Sequence, residues 1–279
     1  MRVKISQRKS VPLRASSIDI HPNAQWQQVG LTVAGGNGQG NGTNQLYAPS
    51  GLYVEDDQTI YVADKWNHRI VEWKSGATSG QVVSGGYEKG HEDHQLYYPY
   101  DVIVDRKTDS LIICDYVNRR VVRWPREWQG VIVAGGNGNG SRLDQLSEPT
   151  YIFVDRDHSV YVSDSGNSRV MKWMEGAKEG IIVAGGQGKG KALTQLSSPQ
   201  GVVVDKLSTV YVADSVNSRI MRWVKGRTQG SVIVYENGGG EYSNRLGLLG
   251  GLSFDRYGNL YVVDWLYDRV QKYNIDSNK

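Results

Sequence analysis

The sequence predicts an all-β fold in which one four-stranded unit repeats around a ring. Three observations predict it. The quartet Asp64, Asn67, Arg69 and Trp73 returns as Asp115, Asn118, Arg120 and Trp124, as Asp164, Asn167, Arg169 and Trp173, and as Asp214, Asn217, Arg219 and Trp223, with a fainter copy at Asp264, Arg269 and Tyr273. A repeat of about 50 residues means that neighbouring units bury a core none could bury alone. The apolar stretches (YVADKW, LIICDY, YVSDSG, YVADSV, YVVDWL) are short and bounded by Gly, Pro, Asn and Asp, which suits strands rather than helices. Finally, five sets of first, second and third strands are matched by five fourth strands, one of which precedes the first repeat.

In chain order, the first element is this early fourth strand, Leu31 to Gly36. First strands then open near Gly51, Asp101, Tyr151, Gly201 and Gly251, and fourth strands end at Gly85-Gly86, Gly135-Gly136, Gly185-Gly186 and, degenerately, Tyr235-Glu236. The third unit shows the pattern most clearly, with strands at 151–155, 160–164, 169–173 and 181–186. Its connections are a short charged turn, a tight Asn-bearing turn, a Gly-containing turn and a long glycine-rich loop ending in Gln-Leu-x-x-Pro. Four antiparallel strands with such turns describe one propeller blade. The last unit ends on a third strand at Tyr273, so residues 31 to 36 should pair beside 268 to 273 and leave no free sheet edge. The expectation is a closed β-propeller of five four-stranded blades over residues 30–276, its N-terminal strand completing the C-terminal blade. A sixth, partial blade drawn from residues 1–29 (VPLRASSIDI) is the alternative. Residues 1–29 otherwise read as a basic segment, irregular or partly disordered, and 277–279 as a tail.

The formal charge of the 279 residues is +3, but Arg2, Lys4, Arg8, Lys9 and Arg14 fall in the first fourteen positions without an acid, leaving the repeat body slightly negative. That body is no DNA-binding surface. No run approaches a membrane span and the first ten residues lack the apolar core of a signal peptide. Cys114 is the only cysteine, which excludes an intramolecular disulfide and a cysteine zinc site. A soluble, monomeric, cytoplasmic protein is the leaning; an extracellular one stays open if the chain is part of something larger, where Asn41-Gly-Thr43 and Asn139-Gly-Ser141 would accept glycans.

Repetition separates scaffold from site. A catalytic centre needs one arrangement, whereas the Asp and Arg recur in every unit, placed to pair across the tight turn. The Asn is expected there for its tolerance of left-handed backbone, and the Trp residues as fillers between blades. The loops Gly35 to Gly40 and Gly135 to Gly140 lack both the lysine and the following helix of a phosphate loop. His91-Glu92-Asp93-His94 sits in a loop apart from His21, His68 and His158, and reads as solvated. No catalytic residue, metal ligand or cofactor is assigned.

The run YVADKWNHRIVEW, with its relatives YVSDSGNSRVMKW and YVADSVNSRIMRW, resembles the NHL repeat, and the match extends over residues 30 to 276. Only the first copy carries His at the name-giving place, His68; the others have Arg119, Ser168, Ser218 and Asp268. The resemblance implies a propeller, commonly of six blades, so five copies depart from the usual count. It also implies three kinds of role: RNA- or protein-binding modules in ubiquitin-ligase and translational regulators, extracellular parts of bacterial kinases, and an amidating lyase. The metal-binding histidines of the lyase have no convincing counterparts here.

Positions where the repeats disagree escape the scaffold explanation. After the loop proline these include Tyr100, Asp101, Thr150, Tyr151 and Gln200, expected around the channel mouth. The tight turns on the same face add Trp66 and His68, Tyr116 and Arg119, and Trp265. Aromatics in exposed turns mark contact surfaces. The expectation is a non-enzymatic scaffold that binds a protein or peptide on the long-loop face. Acidic and basic residues nearly cancel there, which disfavours RNA, although aromatic stacking would support a sequence-tolerant single-stranded site. A channel hydrolase or lyase would have only Asp101 and Tyr151 to work with.

Overall fold

The computed structural model describes residues 26–275 apart from 28, 126–128, 206, 218 and 236–250. Most of the expected N-terminal segment, the tail at 277–279, the fifth long loop, Lys206 and Ser218 therefore lie outside the described residues. The chain is all-β, with five sheets of four antiparallel strands arranged in a ring as a β-propeller. Blade 1 is β2 (Leu52–Val54), β3 (Ile60–Asp64), β4 (Arg69–Trp73) and β5 (Gln81–Gly85). Blade 2 is β6 (Pro99–Asp105), β7 (Ser110–Asp115), β8 (Arg120–Pro125) and β9 (Val131–Gly135). Blade 3 is β10 (Pro149–Val154), β11 (Val160–Asp164), β12 (Arg169–Trp173) and β13 (Ile181–Gly185). Blade 4 is β14 (Pro199–Val204), β15 (Val210–Asp214), β16 (Arg219–Trp223) and β17 (Ser231–Tyr235). Blade 5 joins β18 (Leu252–Phe254), β19 (Leu260–Asp264) and β20 (Arg269–Tyr273) to β1 (Leu31–Gly35).

The seam forms as the strand count requires: β1 pairs antiparallel with β20, Leu31 opposite Lys272 and Gly35 opposite Arg269. Pairing with the fifth blade already begins at Trp26, which bridges to Ile275. The described residues form five blades; the sixth, partial blade considered for residues 1–29 lies almost wholly outside the described residues. Each blade puts one bulge between its third and fourth strands, as between Val170 and Met171, which adds to the twist a radial blade needs.

In blades 1 to 3, alternate residues of the three inner strands bury against the two neighbouring blades. Blade 2 offers Ile103, Ile112, Cys114 and Val121 to Ile152, Val160, Val162, Met171 and Trp173 of blade 3 in one fully buried cluster. Trp73, Trp173 and Trp223 are at most 2% exposed, as expected of inter-blade filling. At the axis the innermost strands approach so closely that a side chain on Gly51 would collide with the Asp101 carboxylate and with Tyr100 O.

The tight second-to-third turns are single 3-10 turns at Lys65–Asn67, Ser165–Asn167 and Ser215–Asn217. Here the sequence reading is corrected. The left-handed residue is not the Asn but the one after it: His68, Arg119, Ser168 and Asp268 have φ between 49° and 55°. Among the described residues no helix is long and apolar enough to cross a membrane.

Candidate functional site: the long-loop face

Each of the four described long loops lies on the tight turn of its own blade, and the repeated polar triad holds the two together. Asp64 Oδ1 accepts from Tyr47 N (2.7 Å) and its Oδ2 from Asn67 Nδ2 (2.8 Å) and Arg69 Nε (2.7 Å). Asn67 Nδ2 also donates to Gly40 O (2.8 Å), and the Arg69 guanidinium donates to the carbonyls of Asn41, Gly42 and Gln45. Asp115, Asp164 and Asp214 repeat the arrangement with Arg120, Arg169 and Arg219. The Asn is therefore a donor and the Arg a loop clamp. Burial pushes the carboxyls of Asp64, Asp115 and Asp164 up, against the opposing pull of Asn, backbone N–H and Arg.

The glycine-rich loops are filled by their own glutamine. Gln45 Nε2 donates to Asn37 O (3.1 Å) while its Oε1 accepts from Gly42 N (3.3 Å), and a Cβ on Gly40 would overlap that amide. The loop backbone is thus spoken for by protein groups rather than arrayed around an anion.

On this platform the structure gathers aromatics from blades 1 to 3. Trp66, 46% exposed, stacks on Tyr47 and packs at a tilt against Tyr98, both with ring centroids at 5.2 Å. His68 packs against Tyr97 and Tyr98 and accepts from Tyr98 N at Nδ1 (3.2 Å). That bond requires an unprotonated Nδ1, and burial, with Lys89 nearby, holds the His68 pKa below its ordinary value. Beside Trp66, the Lys65 ammonium lies over the rings of Tyr100 (4.7 Å) and Tyr116 (5.6 Å). Burial lowers the Lys65 pKa; the ring faces supply the cation's stabilisation. Tyr151 meets Tyr100 edge-on at 5.5 Å. Burial, followed by the neighbouring Tyr116, Cys114 and Asp101, pushes the Tyr100 hydroxyl up to about 12.

Trp66 and His68 thus share one ring cluster with Tyr98, and Tyr100, Tyr116 and Tyr151 form a second one capped by Lys65, the chain neighbour of Trp66. The other sequence-selected positions are placed differently. Asp101 is fully buried and accepts from Ile152 N (3.1 Å), tying two innermost strands together. Thr150 is buried, its hydroxyl within reach of Ser165 Oγ (3.0 Å). Arg119 turns back to donate to Val117 O (2.9 Å). Gln200 extends towards the hydroxyls of Ser165 and Ser198, and Trp265 is exposed on the fifth blade. Tyr100 also packs on the core between blades 2 and 3, so it is both surface and scaffold.

Tyr47, Tyr97 and Tyr98 escaped the sequence reading. Their signal was present: the two variable places of Gln-Leu-x-x-Pro read Tyr-Ala, Tyr-Tyr, Ser-Glu and Ser-Ser in the four loops, so the disagreement between repeats begins before the proline. Among the described residues no group of three or more His, Cys, Asp or Glu side chains is placed to hold a metal. Cys114 is buried, which raises its thiol pKa well above the ordinary value.

The family described as NHL repeat matches residues 46–73, from the end of the first long loop through β4. No curated protein matches the chain in sequence. Solved structures share the fold. A gluconolactonase from Xanthomonas campestris has a TM-score of 0.55 at 16% identity, covering 94% of this chain and 86% of that one. A chain of a nidogen/laminin complex has a TM-score of 0.54 at 17% identity, covering 80% and 74%. A catalytically inactive variant of virginiamycin B lyase from Staphylococcus aureus, solved with quinupristin, has 0.51 at 13%, covering 81% of this chain and 66% of the lyase. At such identities the likeness is one of fold, which hosts both enzymes and binding modules. The unit recognised in sequence over the first blade has counterparts in structure around a ring of five, and the chain is a five-bladed β-propeller that carries an NHL repeat in its first blade.

Proposed function

We propose that this propeller is a non-enzymatic scaffold that binds a protein or peptide segment on its long-loop face, at the aromatic patch of blades 1 to 3. The observation that carries the reading is Trp66, a large aromatic held in fixed orientation by Tyr47 and Tyr98 yet 46% exposed. Rigid aromatic anchors contribute most of the energy in protein interfaces at little entropic cost. Lys65 over Tyr100 adds a cation beside this apolar shelf, which suits a segment pairing an apolar side chain with a carboxylate. The engagement of Asp101 with the Ile152 amide speaks against its use as a general base.

The test pans a displayed peptide library against the full chain and compares Trp66→Ala with wild type. Trp66→Ala should weaken enriched peptides by about 30-fold, or about 2 kcal/mol, with an unchanged melting temperature. Asp157→Lys, in an exposed turn on the opposite face, should leave binding intact. Peptides lost on Asp157→Lys but kept on Trp66→Ala would place the site on the other face. An oligouridylate that binds at Trp66 and weakens steeply between about 50 and 200 mM salt would favour RNA instead.

A further inference from the structure

Among the described residues three half-buried lysines lie over tyrosine rings, and two of them also hold a carboxylate. Lys172 Nζ sits 4.8 Å from the centre of the Tyr161 ring and 3.1 Å from Asp155 Oδ2. Lys272 Nζ sits 5.5 Å from the centre of the Tyr261 ring and 3.7 Å from Asp255 Oδ2. Lys65 is the exception. Its ammonium lies over Tyr100 and Tyr116, but among the described residues it has neither an ion-pair partner nor a hydrogen-bond acceptor. The acids beside it are engaged elsewhere: Asp64 accepts from Tyr47 N, Asn67 and Arg69, and Asp101 accepts from Ile152 N. Burial lowers the Lys65 pKa with no neighbouring charge to raise it. The scaffold does not call for this cation either, because the same place in the other tight turns holds Tyr116, Ser165, Ser215 and Trp265. A half-buried charge whose donors lack an acceptor is a cost that a fitting anion removes.

We infer that Lys65 is the anion anchor of the long-loop face and takes a carboxylate of the bound segment, with the Tyr100 and Tyr116 rings holding the ammonium in place. The inference rests on the reading of that face given above and adds what the face selects for. A carboxylate at Lys65 completes the set of lysine, tyrosine and acid that Lys172 and Lys272 complete within the chain, and charge-assisted bonds of this kind are about twice as strong as neutral ones. The Tyr100 hydroxyl, pushed up to about 12 by burial and then by Tyr116, Cys114 and Asp101, keeps its proton at neutral pH, so no phenolate competes for the ammonium. One charge fits better than two. Arg119 is turned back on Val117 O, and the exposed Glu148 lies close enough to Tyr116 to add to the effect of burial in raising its hydroxyl, which opposes the nearly doubled charge of a phosphate. The exposed indole of Trp66, next in the chain, supplies the apolar contact beside the anchor.

Two matched pairs of probes, titrated into the full chain and followed by lysine side-chain NMR, test this. N-acetyl-leucyl-aspartate amide is set against its asparagine twin, and N-acetyl-alanyl-leucine against its amide. At constant ionic strength, at least one acid should shift the Lys65 resonances and bind at least about tenfold tighter than its neutral twin, the size of one charge-assisted bond. Lys65→Met, which keeps the stem and removes the charge, should abolish that preference, and Lys65→Arg should keep most of it. The two acids separate the sources: preference for the aspartyl probe assigns an internal acidic residue, and preference for the free leucine carboxylate assigns a chain terminus. Lys65 resonances that neither acid moves, or a preference for acid that survives Lys65→Met, would overturn the anchor. If neutral and acidic probes then bind alike but are lost on Trp66→Ala, the aromatic shelf stands without it. An acid preference that Lys65→Met removes and Trp66→Ala leaves untouched keeps the anchor and sinks the shelf.

Discussion

Removing the Arg169 side chain separates clamp from ornament. Its guanidinium donates from Nε to Asp164 Oδ2 (2.7 Å), from Nη1 to Ser141 O (2.7 Å) and from Nη2 to Arg142 O (2.9 Å) and Gln145 O (3.1 Å). The two charged side chains are 4% and 0% exposed. Arg169→Ala leaves the Asp164 carboxylate buried with only the Asn167 amide and Ser147 N–H as donors. Ser141 and Arg142 are exposed, so water can satisfy their released carbonyls and the loss centres on the stranded charge. Breaking a buried pair from one side costs about 3–5 kcal/mol, against about 0–1 kcal/mol for a surface pair. Urea denaturation should show the loss as a lower midpoint at unchanged slope. Asp164→Asn in the same chain should recover part of it by removing the unpaired charge. The deficit should also depend on pH. Burial already raises the Asp164 pKa, and without the guanidinium only Asn167 and the Ser147 N–H oppose it, so the folded variant takes up a proton at a pH where the unfolded chain stays ionised. Stability then rises as pH falls from neutrality towards about 4, and the gap to wild type narrows. A loss below about 1 kcal/mol, or a double variant no better than the single, would refute the buried-clamp account.

Three further outcomes follow from the same geometry. Gly51→Ala places a methyl 2.7 Å from Tyr100 O and Asp101 Cα; backbone cannot yield there, so stability should fall by about 1–3 kcal/mol, and an unchanged melting temperature would mean that the innermost strands have room to part. His68, whose pKa is depressed in the fold, stabilises only while neutral: stability should be full above the ordinary His value near ~6.5 and decline as pH falls from there to the folded pKa, a decline that His68→Phe should abolish in thermal melts at stepped pH. Deleting residues 1–36 removes β1 and bares the β20 edge, so the truncated chain should associate or lose cooperative unfolding; a monomer of unaltered thermal stability in size exclusion and melting would contradict strand completion by β1.

Blade number, strand order and the seam were legible because they follow from counting: an unmatched fourth strand at Leu31 and an unmatched third at Tyr273 can satisfy their backbone groups only by pairing with each other. The Asp and Arg pairing was legible for a similar reason, since residues flanking one tight turn face each other whatever the rest of the fold does. What the sequence left undecided depends on contacts across long separations. Asn67 resembles any turn residue until the loop carbonyl of Gly40, 27 residues away, is brought onto its amide. Tyr100 and Tyr151 look alike in sequence, yet ring closure packs Tyr100 on the core between blades 2 and 3 as well as under Lys65. Asp101 passed for a channel carboxylate until the Ile152 amide, 51 residues on, was placed against it. A local pattern of strands and turns decides which residues alternate inward; only the packing of blade on blade decides which surfaces are covered, and it left Trp66 stacked and exposed on one face.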